Sequence, residues 1–168
     1  MVIKPPEHRD KNKILKLLED GNVFNDNEVK VALEVIDDAL KEPTDDNYQI
    51  LCAYDDHGDL AGYVCFGAIP MTDASYDIYW IAVNLRFAGL GVGGQLLTAA
   101  ERDIAKQGGE KIYIETSSTE PYTMAREFYR RQGYKTVSVL KDFYREGDNK
   151  ITYMKKAGSS YGEREEVA

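Results

Sequence analysis

A chain of 168 residues, 43% of them hydrophobic, carries enough apolar material for one compact domain with a single core. No apolar run approaches the roughly 18 residues that span a bilayer, and Met1-Val2-Ile3-Lys4-Pro5-Pro6 opens without a signal-peptide apolar segment, so a cytoplasmic protein with no membrane attachment is expected. A net charge of −8 speaks against nucleic-acid binding, which needs a basic face.

The first predicted helix covers 8–20, where Ile14, Leu15, Leu17 and Leu18 form an apolar face and Gly21-Asn22 ends the pattern. A second begins near Asn25 or Asp26, either of which suits a cap, and carries Val29, Leu33, Ile36 and Leu40 until Pro43 stops it. Residues 48–54 and 60–69, joined by the turn Asp55-Asp56-His57-Gly58, read as an antiparallel hairpin. Residues 76–83 are aromatic and β-branched with few polar positions, as in a central strand. After a glycine-rich loop, Leu96, Ala100 and Ile104 recur on a helix that Gly108-Gly109 ends. Residues 111–116 form a further strand, and 121–132 a helix with Pro121 in its first turn and Gly133 at its cap. Strands at 134–140 and 151–155 flank a polar hairpin loop. A single domain over 1–157 and a disordered polar tail over 158–168 are expected. The order of elements predicts an α/β protein, a mixed sheet with helices on its faces.

Cys52 and Cys65 fall inside apolar runs and read as buried free thiols. With only His8 and His57 beside them there is no zinc spacing, and no metal is expected.

The informative stretch is Val83-Asn84-Leu85-Arg86-Phe87-Ala88-Gly89-Leu90-Gly91-Val92-Gly93-Gly94-Gln95-Leu96-Leu97, which places four glycines between a strand and a helix. Glycines let the backbone approach a ligand closely, and the unpaired N–H groups of a helix start suit a phosphate. Gly89, Gly91 and Gly94 also satisfy the dinucleotide pattern G-x-G-x-x-G, with Glu115 about twenty residues on. Five residues nevertheless separate Val83 from Gly89, and too little chain follows Glu115 for a doubly wound domain. The phosphate-binding pattern ending in Lys-Ser or Lys-Thr is not met.

The loop resembles the acetyl-CoA loop of the GCN5-related N-acetyltransferase (GNAT) family, (Gln/Arg)-x-x-Gly-x-(Gly/Ala). Arg86-Phe87-Ala88-Gly89-Leu90-Gly91 matches every letter. Ala88-Gly89-Leu90-Gly91-Val92-Gly93 lacks the first letter but better matches the family's spacing to the helix leucines, and is preferred. Ala125-Arg126-Glu127-Phe128-Tyr129-Arg130-Arg131-Gln132-Gly133-Tyr134 is similar to the family's A-x-x-(Phe/Leu)-Tyr-x-x-x-Gly-(Phe/Tyr) block, with Tyr122 where an asparagine often stands. The resemblance covers about 48–155. It implies a central, mostly antiparallel mixed sheet with a splayed parallel strand pair, flanked by helices.

It also implies a reaction: transfer of an acetyl group from acetyl-CoA to a primary amine of a small molecule, peptide or protein, by direct attack on the thioester. The loop Ala88, Gly89, Leu90, Gly91, Val92, Gly93 and Gly94 would hold the pyrophosphate, and backbone groups of Ile81 and Val83 the pantetheine. Asp77 matches the position of a strand carboxylate serving as base; on a regular strand it shares a side with Ile81 and Val83. Asp73 and Glu115 are the alternatives. Tyr129 matches the family's tyrosine at the leaving sulfur. A homodimer follows by analogy with the family. A non-catalytic acyl-CoA-binding module of the same fold and a dinucleotide-binding oxidoreductase-like domain are the competing readings.

Overall fold

The computed structural model describes residues 1–21, 24–41 and 48–158. Seven strands form one sheet in the order β1-β2-β3-β4-β5-β7-β6: β1 is Val2–Lys4, β2 Gln49–Tyr54, β3 Leu60–Ala68, β4 Ser75–Val83, β5 Lys111–Ser117, β6 Lys135–Arg145 and β7 Asp148–Lys156. All neighbours pair antiparallel except β4 and β5. That single parallel pair overturns the dinucleotide-binding reading, because a doubly wound domain needs a mostly parallel sheet. The tail beyond Gly158 lies outside the described residues.

Helices cover both faces. α1 (Lys11–Asp20) and α2 (Asp26–Leu40) bury Ile14, Leu17, Leu18, Ala32, Val35 and Ile36 against Ile50, Cys52, Tyr63 and Cys65. α3 (Val92–Lys106) packs Val92, Leu96, Leu97, Ala100 and Ile104 on the opposite face against Leu51, Val64, Phe66, Ile112 and Ile114. β3 supplies both cores alternately, which is why it reads as an almost unbroken apolar run. α2 starts at a reciprocal cap: Glu28 N–H donates to Asn25 Oδ1 at 3.0 Å, and Asn25 N–H donates to Glu28 Oε2 at 2.8 Å. α4 (Thr123–Arg131) follows a single 3-10 turn, Glu120–Tyr122, which holds Pro121.

Two expected boundaries change. β1 is too short to show alternation in the sequence and is held by pairing with β2. The polar loop expected between the last strands is mostly strand, since β6 continues to Arg145. The hairpin absorbs an irregularity at Asp142, whose φ is 52°; its N–H donates to Asn149 Oδ1 at 2.9 Å and its carboxylate accepts from Gly147 N–H at 2.8 Å. Local polar bonds replace the missing ladder there, so a polar stretch remains extended.

β4 and β5 pair only from Ser75↔Lys111 to Ile78↔Ile114. β4 then continues to Val83 and β5 to Ser117 with no pairing between them. Against β3, Cys65 faces Trp80 but Phe66 faces Ile78, so Tyr79 is an extra residue in a bulge. The bulge bends β4 at the point where it parts from β5.

Candidate active site

The separated ends of β4 and β5 open a cavity of about 490 Å³. Tyr79, Trp80 and Ile81 line it from β4, Glu115, Thr116 and Ser117 from β5, and Pro121, Tyr122 and Tyr129 from the segment that follows. Phe24, Asn25 and Glu28 at the start of α2 close one side, and Tyr144 to Asp148 in the last hairpin close another. The sequence points to the loop 141–148 and the first two helices as walls of an acceptor site, and these residues from both line the cavity.

Tyr129 is 8% exposed and reaches this cavity from α4, its ring packed on Phe128, Tyr134 and Tyr153 at 5.6, 6.5 and 5.9 Å between centroids. Its hydroxyl makes no hydrogen bond among the described residues, and burial raises its pKa, with Tyr153 and Tyr122 adding to the shift. A buried phenol facing a cavity without a partner is available to a ligand.

Asp77 requires a correction. Tyr76, Ile78, Ile81 and Val83 all face the α3 core, whereas Tyr79, Trp80 and Ala82 face the α1–α2 core. The bulge at Tyr79 therefore reverses the alternation, and Asp77, between Tyr76 and Ile78, lies on the opposite face from the Ile81 and Val83 side chains. It does not line the cavity. Burial pushes the Asp77 carboxyl up to about 6, with the negative charge of Glu115 adding to the rise and Lys150 opposing it. Glu115 does line the cavity, with Lys150 Nζ 3.2 Å from its carboxylate. Asp73 is exposed before the start of β4, at the end opposite the opening, and is removed from consideration by that placement.

On the other side of β4, Asn84 Oδ1 accepts from Arg86 N–H at 3.0 Å and sets the turn Leu85–Phe87. Ala88 closes that turn, and Gly89 and Gly91 follow with φ of 76° and 78°, a conformation that favours glycine. Gly91 caps α3, whose first backbone bond runs from Gln95 N–H to the Gly91 carbonyl at 3.1 Å. The N–H groups of Val92, Gly93 and Gly94 thus have no acceptor within the helix, although the Val92 side chain is buried as a core anchor. Gly93 also sits close to α4: a Cβ there would lie 3.3 Å from Phe128 Cζ. Leu90 is exposed beside these amides. Unpaired amides at a helix start suit an anion, and Gly93 packs this one against Val83 at the end of β4.

Arg126 Nη1 donates to the carbonyls of Ser117 and Thr119 at 2.8 and 2.7 Å, fixing the turn after β5. Lys106 is exposed at the far end of α3 beside Asp103. Asp148 is a buried carboxylate; it accepts from Ser117 Oγ at 2.5 Å and holds the last hairpin to β5. Tyr122 donates to Glu28 Oε1 at 3.0 Å and ties α2 to the turn before α4. Burial raises the Tyr122 phenol to about 12, and the Glu28 charge adds to it.

The sequence profile of the acetyltransferase (GNAT) family matches residues 12–134. A crystal structure from Desulfovibrio desulfuricans, provisionally assigned as an acetyltransferase of that family, is 34% identical, covers 93% of this chain and 98% of its own, and superposes with a TM-score of 0.87. An aminoglycoside 6'-N-acetyltransferase complexed with coenzyme A is similar in fold at 19% identity and TM-score 0.73, covering 95% of this chain and 99% of its own. The ribosomal-protein-S18-alanine N-acetyltransferase of Escherichia coli is similar at 14% identity and TM-score 0.74, covering 97% of each chain. No curated protein matches the sequence significantly. With the profile spanning most of its length and a relative 34% identical over nearly all of it, the chain belongs to the GNAT family of acetyltransferases.

Proposed function

We propose that the protein is an acetyl-CoA-dependent N-acetyltransferase that acetylates a primary amine of a small molecule or peptide by direct transfer. Two observations carry this reading: the cavity where β4 and β5 part, lined by Glu115 and the unpartnered Tyr129, and the helix start with free amides after β4, whose Gly93 packs against Val83 and Phe128. The amides of Val92, Gly93 and Gly94, with Gly89, Leu90, Gly91 and Ala88 in the preceding turn, suit the pyrophosphate of acetyl-CoA. The β5-facing edge of β4 beyond Ile78, which includes Ile81 and Val83, lacks a strand partner and suits the amides of pantetheine. Acetyl-CoA supplies the activated acyl group.

An alkylamine has a pKa near ~10.4 and arrives as an ammonium, so one proton must leave before nitrogen attacks the thioester carbon. Glu115 at the cavity wall, with Asp77 behind it, provides the acceptor for that proton. An Asp77 carboxyl near 6 is ionised at neutral pH yet basic enough to take part. As the C–S bond breaks, the sulfur leaves with its electron pair, and the Tyr129 hydroxyl hydrogen-bonds it. Burial makes this phenol a reluctant acid, so stabilisation by the hydrogen bond precedes any proton transfer.

Calorimetric titration with acetyl-CoA, CoA and NAD in parallel tests the reading. Binding of acetyl-CoA and CoA but not NAD is expected, followed by release of free thiol when amines are added. A protein that binds acetyl-CoA yet releases no thiol with any amine, and whose binding is indifferent to Tyr129→Phe, would be an acyl-CoA-binding module instead.

A further inference from the structure

The cavity at the strand opening carries four carboxylates, Glu28, Glu115, Glu146 and Asp148, against one arginine, Arg145. Two of the four already face cations: Glu115 lies 3.2 Å from Lys150 and Asp148 lies 3.7 Å from Arg145. Glu28 accepts hydrogen bonds from the Tyr122 hydroxyl and the Asn25 backbone N–H, neither of them a cation, and no cation pairs with it or with Glu146 among the described residues. Glu28 lies on the wall formed by α2, and Glu146 on the wall formed by the last hairpin. Aromatic rings of Trp80, Tyr122 and Tyr144 line the same cavity, and such rings suit both methylene groups and cations. The buried, unpartnered Tyr129 hydroxyl opens into the same space and independently marks it as a place for a ligand.

We infer that the acceptor is a small diamine or polyamine: one amine reaches the strand opening near Glu115 and Tyr129, and a second ammonium is held by Glu28 and Glu146. This assignment rests on the acetyltransferase reading above. Its chemistry is a division of labour between two like groups. The reacting ammonium must shed a proton to the Glu115–Asp77 pair, whereas the distant one stays charged and orients the molecule. A monoamine of equal length lacks the second anchor, and an acidic peptide meets repulsion from the same carboxylates. An apolar spacer between the amines would lie along the aromatic rings.

The test uses the full chain and acetyl-CoA with n-butylamine, 1,4-diaminobutane, spermidine and a peptide with an acidic second residue. The expected kcat/KM is roughly tenfold or more higher for diaminobutane than for butylamine, and lowest for the peptide. In the double variant Glu28→Gln, Glu146→Gln, the diamine-to-monoamine ratio should fall to within about threefold of unity, while acetyl-CoA binding by calorimetry stays unchanged. Glutamine preserves the cap to Asn25, so α2 retains its start. Equal use of butylamine and diaminobutane, or preference for the peptide, by a protein that binds acetyl-CoA overturns the diamine assignment alone. A high ratio that survives the double variant overturns the roles of Glu28 and Glu146. Failure to bind acetyl-CoA removes the acetyltransferase reading, and this inference with it.

Discussion

Asp77 on β4 and Glu115 on β5 stand on the same face of the sheet at the place where the two strands part. Asp77 is paired with Tyr113, and Glu115 follows just beyond the last paired position, Ile114. Burial raises the Asp77 carboxyl to about 6, and repulsion from the Glu115 charge adds to the rise. Lys150 beside Glu115 moderates the repulsion without removing it.

That shift predicts a pH-dependent cost to the fold. An aspartate titrates near 3.9 when unfolded, so the native state here binds the proton more tightly. Its favourable contribution is present below pH ~4 and is lost as pH rises through about 6. Asp77→Asn should therefore stabilise the protein at pH 8 by about 1–2 kcal/mol and by almost nothing at pH 3.5. Urea unfolding at the two values checks this.

The same pair should set the acid limb of activity. We expect kcat/KM to rise with pH through about 6 in the native enzyme. Glu115→Gln and Asp77→Asn should each lower it roughly 100-fold at pH 7 and flatten that limb. If Glu115→Gln is silent and Asp77→Asn is not, a water rather than Glu115 connects Asp77 with the amine.

Tyr129→Phe should lower kcat roughly 10- to 100-fold and leave the Kd for acetyl-CoA within about twofold. Its hydroxyl holds no other side chain, so stability should change by less than ~0.5 kcal/mol. Stopped assays of thiol release alongside thermal melts separate the two quantities.

A stability prediction concerns Gly62 on β3. A Cβ there would lie 2.7 Å from the Ala82 carbonyl oxygen and 3.1 Å from Leu96 of α3. The backbone contact cannot yield as a side chain would, so Gly62→Ala should cost about 2 kcal/mol or more. It should also disturb β4 next to the loop, and reduced acetyl-CoA affinity should accompany the lower denaturation midpoint.

Glu101 of α3 accepts from Lys155 Nζ with both oxygens, at 3.0 and 2.9 Å, and from the Tyr134 hydroxyl at 2.9 Å. Lys155 is buried on β7, so Glu101→Gln takes a countercharge from a buried ammonium and should destabilise by about 3 kcal/mol. Lys155→Met in that background should recover part of the loss, measurable as a double-mutant cycle.

Local features of the chain determined much of this protein. The helical periodicities of α1, α2 and α3, the end signals of α4, a cap at Asn25 or Asp26, the glycine loop and the Phe128-Tyr129 pair depend on neighbours a few residues apart, and each was legible before any fold was known. The glycine loop needs only a strand before it and a helix after it to create free amides. Tertiary pairing decided the remainder. The bulge at Tyr79 exists because β3 and β4 fall out of register by one residue, and that slip alone moved Asp77 to the other face. Glu115 became its partner through a parallel register set by the crossover of α3. Asp148 and Glu28 reached the cavity from opposite ends of the chain. Alternation along one strand carries no information about the register of the next, so the helix start that suits a phosphate was readable from residues, and the gathering of Glu115, Glu28, Glu146 and Asp148 around one cavity was not.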